Sequence, residues 1–168
     1  MGKISGMKKN LFSYLASKRS ELKDLRFKDI LLAKAVVDIH RHTKHTQFRM
    51  LALSQIQPIH AIDRRNALDS VRHRMRILRR RRSEILNKKH LSKQEMLNYL
   101  PSVSGIKVVK VNDCYISFEG NGRVEAFKRV FKANEEIYLE AEVFEVDDPQ
   151  KIMRRINRVR KRNFAASP

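Results

Sequence analysis

The sequence predicts an α+β fold in which a small mixed sheet packs against helices. Residues 105–131, GIKVVKVNDCYISFEGNGRVEAFKRVF, have the pattern of strand, tight turn, strand, Gly-rich turn and helix. Residues 137–146 alternate apolar and polar side chains, as a strand with one buried face does. Apolar residues at helical spacing fill most of the remaining chain. We expect a basic helical extension over residues 1–46, the α+β domain over 47–148, and a basic helix with a tail over 149–168.

The extension is predicted to contain two helices. Residues 7–20 place Leu11, Tyr14 and Leu15 on one side and lysines on the other, and residues 27–40 have a broad apolar face. Three histidines then follow closely in HRHTKH at 40–45. This segment is expected to be a solvated basic turn rather than a metal site, because it has no Cys or carboxylate at ligand spacing.

The middle of the chain is predicted to contain a strand and a long helix. Residues 48–58 form a short apolar run ending in a proline, which favours a strand, although a helical continuation from Thr46 fits the period almost as well. Asp63 is expected to open the helix that follows. The apolar positions of that helix are Ala67, Leu68, Val71, Met75 and Leu78.

Two later helices have clear start signals. Ser92 is a good N-cap, and Glu95 stands at the position that completes a capping box. Asp148 precedes Pro149, a residue favoured at the first helical position, and predicts a helix that runs to about Arg162.

The charge of the chain points to a polyanionic partner. Lys and Arg number 37 against 18 Asp and Glu, which gives a net charge of +19. Residues 1–90 hold 23 basic and 7 acidic residues, residues 91–148 hold 7 and 11, and residues 149–168 hold 7 and none. The excess positive charge therefore lies on both flanks of the strand–turn–helix segment.

Two arginine-rich helices are the candidate nucleic-acid-binding surfaces. Their arginines are Arg72, Arg74, Arg76, Arg79, Arg80, Arg81 and Arg82 in the first, and Arg154, Arg155, Arg158 and Arg162 in the second. Binding to phosphates is expected to be salt-dependent and mostly tolerant of sequence, because no aromatic residue is interleaved in the first helix for base stacking. The alternative is a solvated amphipathic helix, which normally carries more interleaved acids.

The Gly-rich turn is a candidate anion site. Gly120 and Gly122 allow a ligand close to the backbone, the first amides of a helix carry partial positive charge, and Arg123 is a planar cation suited to phosphate. The alternative is a tight strand-to-helix connection with an exposed arginine.

The single Cys114 excludes a disulfide framework and a cysteine-based zinc site, which fits a reducing compartment. The chain lacks a long apolar stretch and a secretory signal, so we expect a cytoplasmic protein that does not bind membranes.

Three motifs together resemble the ParB/sulfiredoxin-like superfamily over about residues 48–162. LALSQIQP at 51–58 is similar to the opening strand of that domain, and EGNGRVEAFKRV at 119–130 is similar to its conserved turn and helix. Asn157 and Arg160 in INRVR are loosely similar to a motif of ParB proteins. The superfamily includes partition proteins that bind CTP, nucleases, a sulfinic acid reductase and a free-serine kinase.

The resemblance implies phosphate or nucleotide contact, with CTP or ATP and Mg²⁺ as the cofactors to test. The residues it implicates are Gly120, Asn121, Gly122, Arg123, Asn157 and Arg160. The chain departs from the catalytic members at several positions. Asn121 replaces the reductase's cysteine, His60 stands where kinase-like members have a glutamate, and Ile156 replaces a metal-binding glutamate.

The sequence therefore favours a nucleic-acid-binding protein with a ParB-like domain, with DNA expected first and RNA as the alternative. A second hypothesis is a phosphate-chemistry enzyme, a nuclease or a nucleotide hydrolase, in which Glu119 or Glu125 serves a metal and His60 acts as general base if it faces the turn. A third is a structural protein-binding component. A homodimer is left open.

Overall fold

The computed structural model describes residues 27–164, with side chains described from 29 to 161. The helices are α1 (Phe27–Arg41), α2 (Arg65–Arg80), α3 (Arg82–Lys88), α4 (Lys93–Tyr99), α5 (Asn121–Val130) and α6 (Pro149–Phe164). The strands are β1 (Thr43–Ala52), β2 (Ile56–Pro58), β3 (His90–Leu91), β4 (Ile106–Val111), β5 (Cys114–Glu119) and β6 (Tyr138–Val146). Six strands in one mixed sheet and six helices in the described part of the chain confirm the predicted α+β class.

The sheet has the strand order β1-β6-β4-β5-β2, and the short β3 also pairs with β6. β1 and β6 are antiparallel, as are β4 and β5 of the predicted hairpin. The pairs β2–β5, β4–β6 and β3–β6 are parallel. Since β2 and β5 are parallel neighbours, with Pro58 opposite Ser117, their carboxyl ends lie side by side at one end of the sheet.

Helices cover both faces of the sheet, and each face has its own apolar core. One core joins α2, α3, α4 and α5 to the sheet and includes Val71, Leu78 and Phe127. The other joins α1 and α6 to the opposite face and includes Ile39 and Ile152. Val108 belongs to the first core and its neighbour Val109 to the second, as the alternation of a strand requires. The two arginine-rich helices, α2 and α6, therefore lie on opposite faces of the sheet.

The start signals of two helices are confirmed. The Ser92 side chain accepts from the Glu95 amide while the Glu95 carboxylate accepts from the Ser92 amide, which completes the capping box of α4. The Asp148 carboxylate accepts from the Lys151 amide at 2.9 Å, and Pro149 is the first residue of α6. The prediction for α2 is wrong by two residues, because the helix begins at Arg65 without a side-chain cap and Asp63 lies in the loop before it.

The segment around residues 40–58 differs most from its prediction. The turn predicted for HRHTKH is limited to His42: His40 and Arg41 end α1, and Thr43 begins β1, a strand whose polar residues are tolerated because it lies at the edge of the sheet. The predicted strand over 48–58 is divided by a 3₁₀ turn at Leu53–Gln55 into β1 and β2, which pair with different strands. β1 also runs without a break through the expected domain boundary at residues 46 and 47.

Two further predictions concern the helices nearest the ends of the chain. The helix expected over residues 7–20 lies outside the described residues. At the other end, α6 continues through Phe164, past the Arg162 end that the sequence predicts.

Candidate functional site

A cavity of about 390 Å³ lies where β2 and β5 end. In mixed and parallel sheets the carboxyl ends of adjacent strands are a frequent place for ligands, and this volume is in the range of small-molecule sites. The loop that follows β2, the first turn of α5, one side of α2 and the start of α1 form its walls. The lining residues are Asp29, Leu32, His60, Ile62, Asp63, Arg64, Ala67, Ser70, Arg74, Asn121 and Gly122.

The first turn of α5 presents backbone donors at this cavity. Gly120, the N-cap, adopts the left-handed conformation with φ 85°, and its carbonyl accepts from the amides of Arg123 and Val124 at 2.9 and 3.1 Å. Within residues 27–164, the amides of Asn121 and Gly122 have no hydrogen-bond acceptor and no side chain caps the helix. Amides of this kind, at the positive end of the helix dipole, favour an anion.

Arg74 adds a positive charge at the same place. Its Nη1 lies 2.8 Å from where a Cβ on Gly122 would be, so the guanidinium rests against the start of α5. No carboxylate of the described residues forms an ion pair with Arg74. The sequence groups Arg74 with the outward arginines of α2, whereas the structure places it in the cavity.

His60 lies in the wall of the same cavity. Its Nδ1 is 2.7 Å from the Ala61 carbonyl oxygen, which can only accept, so this contact selects the tautomer of the neutral ring in which Nδ1 carries the proton. Nε2 of that tautomer has a free lone pair. The structure therefore brings His60 to the same cavity as Asn121 and Gly122, which is the condition that the enzyme hypothesis sets for a general base.

Arg123 does not line the cavity. Its side chain is only 4% exposed, and Nη2 donates to the Gly105 carbonyl at 2.7 Å. Burial lowers the pKa of Arg123, and the nearby charge of Arg74 lowers it further against the opposing effect of Glu119. In this placement Arg123 ties the start of β4 to α5 and is not exposed to a ligand.

The two glutamates considered as metal ligands are engaged elsewhere. Glu119 pairs with Lys107 at 3.0 Å, and Glu125 pairs with Arg129 at 2.6 Å. Burial acts to raise the pKa of Glu119, but hydrogen bonds from Ser104 and Lys107 outweigh it, and the pKa is lowered. Neither glutamate lines the cavity, and over residues 27–164 no group of three or more His, Cys, Asp or Glu side chains is arranged to hold a metal ion.

Asn157 and Arg160 also lie away from the cavity, on α6 at the other face of the sheet. Asn157 is exposed. Arg160 donates to the Pro58 carbonyl at 2.9 Å and to Gln57 at 3.3 Å, and burial lowers its pKa. Arg160 therefore fastens α6 to β2.

The outward face of α2 carries a row of arginines that we call the α2 stripe. Its members share one side of the helix at i, i+3, i+4 and i+7 spacing, opposite the buried Val71 and Leu78. They are Arg65, Arg72, Arg76, Arg79 and Arg80, all exposed. Arg72 pairs with Asp69 at 2.8 Å, and the other four have no ion pair with any residue that the structure describes. Four guanidinium groups are thus free to contact phosphates.

Arg81 and Arg82, which follow α2, are both engaged in ion pairs. Arg81 pairs with Glu84 at 3.6 Å. Arg82 pairs with Glu135 and lies over the Phe131 ring at 5.9 Å. Arg82 therefore holds the start of α3 against the segment that joins α5 to β6, while the Arg81 pair is local to the start of α3.

α6 presents a smaller basic surface than the sequence predicts. Arg154 and Arg158 are exposed, one turn apart. Arg155 instead points to α1, where its Nε lies 3.0 Å from a carboxylate oxygen of Asp38. The side chain of Arg162 lies outside the described residues.

Comparison with protein-family models, with curated proteins and with solved structures found no match for this chain. The ParB-like resemblance therefore stays a prediction. In the described part of the chain, no helix has both the length and the apolar character needed to cross a membrane.

Proposed function

We propose that this protein binds nucleic acid through phosphate contacts made by the α2 stripe. The observation that carries the proposal is the row of four exposed arginines that pair with no carboxylate of the described residues, in a chain of net charge +19. Like charges at one-turn spacing destabilise a free helix, so an anion that bridges them is favoured. Each phosphate contact also releases condensed counterions, which favours binding at low salt.

The nature of the stripe indicates which part of the nucleic acid it contacts. Arginine is well suited to phosphate oxygens, and the stripe has no aromatic side chain on which a base could stack. Binding would therefore depend on the backbone more than on the bases. Duplex DNA is the first ligand to test and RNA the second.

The test is a binding titration of a labelled DNA duplex and an RNA of equal length across a salt series. The proposal requires an affinity that falls linearly with salt on a double-logarithmic plot, with a slope of about −0.9 for each phosphate contact to duplex DNA. Absence of binding at low salt, or an affinity that salt does not change, would contradict it.

A second candidate function is phosphate chemistry in the cavity, as a nuclease or a nucleotide hydrolase. The observation that favours it is that Arg74, the first residues of α5 and His60 line one cavity. Arg74 and the amides would hold a phosphate, while His60 would accept a proton from an attacking water.

Calorimetric binding and turnover of CTP and ATP, with and without Mg²⁺, test the second candidate. Arg74→Ala is expected to abolish nucleotide binding. His60→Gln is expected to keep binding and lose turnover, because glutamine cannot take up the proton. No nucleotide binding by the unmodified protein would remove this candidate and leave the first proposal intact.

A further inference from the structure

The two edge strands of the sheet differ in how they are protected. β2, at one edge, has three residues and ends in Pro58, whose carbonyl accepts from Arg160 of α6 at 2.9 Å. Short edge strands, prolines and covering helices keep an edge from pairing with another chain. β1, at the other edge, has ten residues and no proline, and its register irregularity lies at its start, between Thr43 and His45. β1 is therefore the edge that is open to a further strand.

The backbone groups of β1 point alternately toward β6 and away from it. The Leu53 amide, just after β1, donates to the Ile137 carbonyl at 2.8 Å, in register with the β1–β6 ladder. Because residues of an antiparallel pair alternate in the side to which they hydrogen-bond, the amides and carbonyls of Thr46, Phe48 and Met50 face outward. No residue that the structure describes bonds to these outward groups.

The same edge carries two large apolar side chains in solvent. Phe48 is 58% exposed and Met50 is 42% exposed. They point to the same face of the sheet, since residues two apart in a strand do so. An unpaired backbone edge can be satisfied only by another extended strand, and a strand added there would cover part of these side chains.

We infer that β1 pairs antiparallel with β1 of a second copy of this chain, about a twofold axis at Phe48. In this register Phe48 lies directly opposite Phe48 of the other copy, and Thr46 of each copy lies opposite Met50 of the other. All three pairs are of the hydrogen-bonded kind and exchange two bonds each, so six backbone hydrogen bonds join the copies. A contact about a twofold axis uses the same surface on both copies and therefore closes at a dimer.

The charges along β1 fit this register. Arg49 of one copy lies opposite Gln47 of the other, and Lys44 lies opposite Ala52, so no cation is opposite a cation. A twofold axis at Arg49 would instead place two guanidinium groups directly opposite each other, which is unfavourable. Within each copy the Glu145 carboxylate is 3.6 Å from Arg49 and accepts from Gln47 at 3.1 Å. The charge of Arg49 is thus compensated beside the contact.

The symmetry of the pairing also fixes where the helices of the dimer lie. Identical strands that pair antiparallel in one sheet are related by an axis perpendicular to that sheet. Each helical layer of one copy therefore lies on the same side as the corresponding layer of the other. The dimer would present two α2 helices on one face of a continuous sheet.

Sedimentation velocity of the full chain, freed of nucleic acid, over a series of protein concentrations tests the inference. We expect a dimer fraction that rises with protein concentration. Two chains of net charge +19 repel each other, so added salt, which screens the repulsion, is expected to raise the dimer fraction further. A complex bridged by residual nucleic acid would weaken with salt instead. A monomer under all conditions, or a dimer that salt dissociates, would overturn the inference.

Phe48→Lys and Val37→Lys form a matched pair of variants. Phe48→Lys removes the aromatic pair and sets two like charges opposite each other at the axis, so it is expected to raise the dimer dissociation constant by roughly tenfold. Val37 of α1 is 51% exposed, and Val37→Lys, which adds the same charge there, is expected to leave the constant unchanged. Circular dichroism checks that both variants fold. Equal dissociation constants would contradict pairing through β1.

Disulfide trapping tests the register, in a Cys114→Ser background that removes the only native thiol. Phe48→Cys places two Cα atoms about 5.5 Å apart across the axis, within reach of a disulfide. The cysteines introduced by Thr46→Cys would have Cα atoms about 14 Å apart and could not be bridged. We expect a covalent dimer of the Phe48→Cys chain and severalfold less of the Thr46→Cys chain. Equal yields, or a higher yield from Thr46→Cys, would contradict the inferred pairing.

Discussion

Gly120 joins β5 to α5 and so positions the amides that face the cavity. Its φ of 85° is strained for any residue with a side chain, and a Cβ there would lie 3.1 Å from Ile106 Cγ1 and 3.2 Å from Ile106 Cα. We predict that Gly120→Ala lowers the free energy of unfolding by at least about 1–2 kcal/mol, the cost of the left-handed conformation alone. Urea denaturation measures the change.

Gly105 provides the matched control for Gly120. A Cβ at Gly105 would meet only the flexible end of the Lys93 side chain, at 3.4 Å. Gly105→Ala is therefore expected to change stability by no more than about 0.5 kcal/mol. Equal losses of unfolding free energy in the two variants would show that the left-handed conformation of Gly120 is not what makes a side chain costly at this position.

The burial of Arg123 could not be predicted from its place in the sequence. An arginine just after a Gly-rich turn fits a phosphate ligand, and nothing in the sequence shows that its guanidinium reaches the Gly105 carbonyl. For Arg74, in contrast, the sequence does contain a signal that separates it from the other arginines of α2. It stands three residues after Val71 and four before Leu78, both buried, so an arginine at that position lies on the apolar side of α2 and requires a specific place to put its charge.

At the scale of single elements, α4 owes part of its stability to Glu95. A hydrogen bond from Lys88, and then bonds from the Ser92 amide and hydroxyl, lower the pKa of Glu95 from 4.5 to about 2. A carboxyl whose pKa is lowered on folding stabilises the protein above pH 4.5, and this contribution is lost as the pH falls towards 2.

Glu95→Gln tests this contribution. We predict that the variant is less stable than the unmodified protein at pH 7, and that the difference shrinks between pH 4.5 and pH 2. Thermal unfolding followed by circular dichroism at several pH values measures it. A difference that does not depend on pH in this window would mean that Glu95 acts through capping geometry and not through its charge.

α1 and α6 are joined by an ion pair that is largely shielded from solvent. Asp38 is 7% exposed and has Arg155 as its ion-pair partner at 3.0 Å. We predict that Arg155→Ala destabilises the protein by roughly 1–3 kcal/mol, because it leaves a buried carboxylate without its cation. Arg154→Ala, on the exposed side of the same helix, is the control and is expected to have little effect in urea denaturation. Equal stability of the two variants would contradict this account of the pair.

Across the whole molecule, local signals predicted several of the elements, but they predicted neither the division of residues 43–58 into β1 and β2 nor the assembly of the sheet. The hairpin, the Gly-rich turn and the caps of α4 and α6 follow from residues that are neighbours in sequence. The parallel pairing of β2 with β5 joins residues almost sixty positions apart and leaves no periodic mark in either strand. The cavity lies where these two strands end, so the sequence could predict only some of the residues that line it, those of the Gly-rich turn and His60.

The distribution of charge over the molecule also depends on assembly. The sequence shows two arginine-rich helices, but the sheet separates them, and α6 uses Arg155 and Arg160 to hold α1 and β2. Only α2 keeps a continuous row of unpaired arginines among the described residues. We therefore expect nucleic acid to approach the α2 face of the protein and not the α6 face.

The measurement that tests binding through the α2 stripe most directly compares the salt dependence of duplex DNA binding for two double variants. Arg76→Gln with Arg79→Gln neutralises two members of the α2 stripe, and Arg154→Gln with Arg158→Gln neutralises the exposed pair on α6. We predict that the α2 variant binds more weakly and has a salt slope smaller in magnitude by about 1.8, the loss of two phosphate contacts, while the α6 variant retains the slope of the unmodified protein. The opposite result, or equal slopes in all three proteins, would contradict binding through the α2 stripe.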